Sequence, residues 1–135
     1  MKALLTFLPA VVLVTLSPVA RSAENLDCNN PPDTASENQC ADLAFAKADK
    51  ELNEVWSKVK DWAAQNDKDS DKPGAHEYAN TTMAAQRAWL AYRDAVCREA
   101  GLPMHGGSGE GPLIGNCRAY ITEERVKSLK GLLPE

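Results

Sequence analysis

Cys28, Cys40, Cys97 and Cys117 all lie downstream of an N-terminal apolar segment, and none lies within it. An even set of cysteines behind an export signal reads as a disulfide framework, because the space outside the cytosol is oxidising. Two cross-links in one short chain restrict what it can fold into more than any other feature. Each removes loop-closure entropy from the unfolded state, roughly 2–4 kcal/mol in the chain-entropy picture. Three pairings are possible in principle.

The export signal is read from its parts. Lys2 supplies the positive start, and Ala3 to Leu16 form an apolar stretch too short to span a bilayer comfortably. Ser17 and Pro18 break it, and the small residues Ala20, Ser22 and Ala23 follow. Cleavage after Ser22 places Ala20 three residues before the cut, whereas cleavage after Ala23 places the bulky Arg21 there. The signal is therefore expected over residues 1–23, to within a few residues, and the domain over 24–135. A lipoprotein anchor does not fit, because the charged Asp27 directly precedes Cys28. The expectation is a periplasmic or secreted protein with no membrane anchor after cleavage.

Removing residues 1–23, whose only charges are Lys2 and Arg21, takes the net charge from −4 to −6. That balance disfavours nucleic acid and anionic membrane surfaces, which want basic patches. It suits a basic protein partner. About 112 residues remain, the size of one domain.

Helical periodicity dominates the rest. Ser36-Glu37-Asn38-Gln39 has the form of a capping box, and Ala41, Phe45, Ala48, Leu52, Val55, Val59 and Trp62 recur at steps of four and three. This predicts a first helix from Ser36 to about Ala64. A polar linker ending in Pro73-Gly74 follows. A second helix is predicted from about His76 to Glu99, with Tyr78, Thr82, Ala85, Trp89, Tyr92 and Val96 on its inner face. Leu102 to Gly115 reads as too glycine-rich for a helix. A short helical turn is expected over Asn116 to Ile121, with Thr122 capping a last helix. No strand-like alternation interrupts this. The fold expected is all-α: a small disulfide-stapled bundle of about three helices with a glycine-rich loop before the last.

In an antiparallel arrangement all four cysteines gather at one pole. Cys28–Cys40 and Cys97–Cys117 are preferred because each closes a local segment.

Chemical motifs are sparse. Asp67, Asp69 and Asp71 imitate the opening of a calcium loop, but Lys72 stands where glycine is needed and Tyr78 where a bidentate Glu is needed. A solvated linker explains them. His76 and His105 are isolated and the cysteines are taken by disulfides, so no metal or cofactor is expected. Ser108 and His105 lack an orienting carboxylate, and Glu123 and Glu124 read as caps, so no catalytic residue is assigned. In Gln86-Arg87-Ala88-Trp89-Leu90-Ala91-Tyr92-Arg93-Asp94, Trp89 and Tyr92 are expected to fill the core while Gln86 and Arg93 satisfy buried polar groups. Asp49 or Asn53 of the first helix would be their partners.

These motifs carry a resemblance. Ala48-Asp49, Leu52-Asn53 and Trp56 resemble the "AD-x-x-LN-x-x-(aromatic)" stretch of the LprI-type lysozyme-inhibitor family. Gln86, Trp89, Tyr92-Arg93-Asp94 and Cys97 are similar to its "Q-x-x-W-x-x-(Y/F)-R-D-x-x-C" signature. Gly106-Gly107-Ser108, Cys117, Thr122, Arg125 and Leu129 resemble its C-terminal portion. The resemblance implies an exported, non-enzymatic protein that would bind a basic lysozyme and block its active-site groove. The alternative is a periplasmic protein-interaction or envelope-stress module. Met104, His105, Gly106, Gly107, Ser108 and Glu110 are the candidate contacts. Asp49, Asn53, Gln86, Trp89, Arg93, Asp94, Thr122 and Arg125 are expected to hold the fold.

Overall fold

The computed structural model describes residues 26–69 and 77–134, and the expected signal peptide and the segment from Ser70 to His76 lie outside them. Three α-helices account for most of the described chain: α1 over Thr34–Lys68, α2 over Glu77–Gly101 and α3 over Glu110–Lys130. A 3-10 turn, Leu102–Met104, follows α2 directly.

α1 begins two residues before the expected start, because Asp33 rather than Ser36 is its cap. The Asp33 carboxylate accepts from the Ser36 N–H at 2.8 Å. That bond, with a second to the Ser36 side chain, holds the Asp33 pKa below its usual value. A charged cap also suits the positive end of the helix. At 35 residues α1 is about 52 Å long, the longest element in the bundle.

Its inner stripe is Ala41, Ala48, Leu52, Val55, Val59, Ala63 and Asp67. Leu52, Val55 and Val59 meet Val126 and Leu129 of α3, with Trp56, Trp89 and Leu133 packed around them. Burying such side chains stabilises by roughly 1.5–3 kcal/mol each. α3 lies along α1 more extensively than α2 does. Ala41 faces Gly115 near one end, and Lys130 reaches Glu51 further along at 2.7 Å. α1 and α3 therefore run parallel, and α2 returns antiparallel to both.

Two further expectations are corrected by the structure. α3 is continuous from Glu110, so the glycine-rich segment supplies its first turns and Thr122 does not cap a separate helix. Thr122 lies in mid-helix with no exposed surface. The glycines belong in the helix because α1 is so close. A Cβ on Gly115 would stand 2.8 Å from the Ala41 Cβ, and one on Gly111 would collide with the Asn38 side chain. The second correction concerns Tyr92, which is 58% exposed rather than in the core. The buried positions of α2 are Gln86, Arg93, Cys97 and Gly101. Its inner face is rotated so that an arginine fills the space assigned to the tyrosine.

Candidate functional site

The pole holding the chain's first described residues, the end of α2 and the start of α3 is built by the disulfides. Cys28 is joined to Cys40 and Cys97 to Cys117, with Cα–Cα distances of 5.5 and 5.4 Å. Cys97 is fully buried. The Cys97–Cys117 bridge ties α2 to α3 and closes a segment whose apex is the loop over residues 102–109.

That loop is a chain of tight turns. The His105 N–H donates to the Leu102 carbonyl at 3.1 Å, Gly107 to Met104 at 2.8 Å, and Glu110 to Gly107 at 3.2 Å. Gly106 takes φ +75°, a backbone state that a side chain would strain. Glu110 clamps the loop from the first turn of α3. Its Oε1 lies 3.0 Å from His105 Nδ1, and its Oε2 accepts the Gly106 N–H at 2.8 Å. The His105 contact, then the Gly106 N–H, hold the Glu110 carboxyl below its ordinary pKa.

The six candidate contacts thus divide by position. Met104, His105, Gly106, Gly107 and Ser108 are exposed on the loop, while the Glu110 carboxylate turns inward to brace it. Leu102 and Met104 are 59% and 52% exposed, and Leu113 on the next turn is exposed as well. The pole therefore presents apolar side chains on a backbone fixed by its own hydrogen bonds.

Most of the polar set forms a ladder of alternating cations and rings at mid-bundle. The Arg93 guanidinium lies 5.2 Å from the Phe45 ring and 5.3 Å from the Trp89 ring. Arg118 lies 6.0 Å from the far neighbour Phe45, and Arg125 lies 5.7 Å from Trp89. Cations over aromatic rings attract by about 0.5–2 kcal/mol, more where water is excluded. Arg93 also pairs with Asp94 at 3.0 Å and with Asp49 at 3.8 Å. Asn53 donates to Asp49 rather than meeting Arg93 or Gln86. Gln86 accepts from Arg125 Nε at 3.0 Å. Thr122 stands apart, its buried hydroxyl without a hydrogen-bond partner among the described residues.

Sequence reasoning missed Asp67. Read as part of a solvated linker, it is buried in the last turn of α1. Its two carboxylate oxygens accept the Tyr78 and Ala79 N–H groups at 2.9 and 3.0 Å, capping α2 from another helix. The available signal was its place on the inner stripe, four residues after Ala63. Asp69 ends α1, and Asp71 lies outside the described residues. Beside this cap, at the end remote from the disulfides, α2 and α3 border a groove of about 530 Å³.

Residues 28–129 match the family model described as lysozyme inhibitor LprI. The chain is 33% identical over 126 residues to an uncharacterized protein of Rhizobium meliloti (strain 1021), covering 92% of this chain and 91% of that protein. No solved structure matches the chain.

Proposed function

The chain belongs to the LprI lysozyme-inhibitor family, and from that premise we propose that it is an exported protein that binds a basic lysozyme and obstructs the active-site groove without chemistry. The family match carries this reading, since it spans both disulfides and the loop they support. Two disulfides suit an oxidising compartment, periplasmic or extracellular.

Physical features of the pole support the same reading. A lysozyme groove holds two catalytic carboxylates between its walls. An obstructing segment must project, present little charge of its own at the tip, and need little ordering on binding. The loop over 102–109 offers Leu102, Met104, His105 and Ser108 outward, with its acidic group, Glu110, engaged internally. Its turns are already hydrogen-bonded, which lowers the ordering cost of association. A net charge of −6 after signal removal would accelerate encounter with a basic enzyme.

The test is a peptidoglycan-lysis assay with a basic animal-type lysozyme and the purified, oxidised mature chain. Dose-dependent protection is expected, weakened about tenfold or more by Met104→Glu or Leu102→Glu at unchanged stability. Full lysis at large molar excess would remove the reading for that lysozyme type. Retention of envelope proteins alone, with no lysozyme, on an affinity column carrying this chain would favour an envelope-interaction role.

A further inference from the structure

The groove at the end of the bundle remote from the disulfides is independent of the loop, and its residues point to a ligand. It is lined by Trp62, Tyr78, Thr82, Arg125, Ser128 and Leu132, among others. Its volume of about 530 Å³ falls in the range of small-molecule sites.

Arg125 gives the groove its chemistry. Gln86 holds its Nε at 3.0 Å, and the Trp89 ring supports its guanidinium at 5.7 Å. No ion pair to a carboxylate is formed by Arg125 among the described residues. Burial lowers its pKa from the usual guanidinium value, so this charge has given up part of its water without gaining a counter-ion. An arriving carboxylate would meet a fork already fixed in direction.

Apart from Glu77, the rest of the lining is apolar or hydroxylic. Trp62 and Tyr78 stand edge to face, with ring centroids 5.8 Å apart. The Tyr78 backbone is held by Asp67, so this aromatic wall is in place before any ligand arrives. Thr82 and Ser128 add hydroxyl groups able to donate to a carboxylate oxygen. Glu77 also lines the groove, and a single cation beside a carboxylate suits a monoanion better than a dianion such as a phosphate monoester.

We propose that this groove binds a small amphipathic monocarboxylate, its carboxylate on Arg125 and its apolar body along Trp62, Tyr78 and Leu132. The site does not depend on the lysozyme reading, and its test does not use lysozyme.

The oxidised mature chain is titrated with sodium decanoate below its micelle-forming concentration, and separately with decanol, while the tryptophan indole N–H signals are followed by NMR. Saturable shifts are expected at Trp62, which lines the groove, and at Trp89, whose ring lies beside the Arg125 guanidinium, but not at Trp56, which does neither. Decanol, lacking the charge, is expected to bind about tenfold or more weakly. Arg125→Gln should weaken decanoate by a similar factor. Ala85→Phe fills the groove from α2 while keeping the Gln86–Arg125–Trp89 arrangement, and should abolish saturation. Absence of saturable decanoate shifts, equal binding of decanol, or binding unaffected by both variants would overturn the proposal.

Discussion

Gly115 of α3 lies so close to Ala41 of α1 that a Cβ on the glycine would stand 2.8 Å from the alanine Cβ. Real Cβ atoms do not approach this closely, so the missing side chain sets how near the two parallel helices come. Gly111 makes the same allowance for Asn38 one turn earlier. The glycine-rich segment is thus partly a helix interface, and that interface positions the loop above it.

Gly115→Ala should destabilise the protein. Helix propensity alone would favour alanine by about 1 kcal/mol. The overlap with Ala41 should cost about 1–3 kcal/mol by forcing α3 away from α1, and that effect should win. Ala41→Gly in the same chain should recover part of the loss. Thermal unfolding decides it, and a raised Tm for the single variant would contradict the packing described.

Asp67→Ala should cost about 1–2 kcal/mol, because two N–H groups in the first turn of α2 lose their acceptor in a partly buried setting. Asp67→Asn should recover only part of this, since its amide can turn one acceptor, not two, toward the helix. Urea unfolding at constant slope is the measurement. Wild-type stability in Asp67→Ala would show that α2 is capped in another way.

Arg93→Lys should lower stability by about 1–2 kcal/mol despite keeping the charge. A lysine lacks the flat guanidinium that lies between Phe45 and Trp89 while reaching Asp94. Near-ultraviolet circular dichroism should report the loosened Trp89 at temperatures where the helices persist. An unchanged spectrum and Tm would make the ladder incidental.

Removing Cys97–Cys117 by a double serine substitution should cost about 3 kcal/mol and weaken any lysozyme inhibition. Cys28–Cys40 joins only the leading segment to α1, so its removal should affect inhibition less. Equal potency before and after verified reduction would break the link between the stapled pole and loop placement.

Acid should release the loop. The Glu110 pKa is depressed in the folded state, chiefly by His105 and then by the Gly106 N–H. Its contribution to loop order is therefore present above the unfolded value of 4.5 and is lost as pH falls through the lower folded value. The Gly106 amide signal should titrate with a midpoint below 4.5, and the Glu110→Ala variant should lack that transition. A midpoint above the ordinary value would reverse the assignment.

Much of the bundle was legible because its causes are local. The four-and-three spacing from Ala41 to Trp62 marks the inner face of α1 without reference to any other element, and Ala41, Ala48, Leu52, Val55 and Val59 are buried as that spacing requires. The gathering of the cysteines at one pole was legible too, and the two local pairings preferred there, Cys28–Cys40 and Cys97–Cys117, are the ones formed, although spacing alone left three pairings open. The Gln86–Arg93 motif marks α2 as having a polar inner face. Its rotation was not legible, because whether Tyr92 or Arg93 turns inward depends on Phe45 lying opposite.

The sequence by itself determined that the chain is helical, where α1 and α2 run, and that its cysteines can meet at one pole. Those properties rest on periodicity, turn residues and redox chemistry, which act within a few residues of one another. The tertiary structure alone decided that α3 begins at Glu110, that Asp67 caps a helix not its own, and that Arg125 stands in a groove without a carboxylate partner. Each depends on the distance between groups far apart in the chain: glycine is poor for a helix until another helix presses against it, and an aspartate is a linker residue until unpaired N–H groups face it.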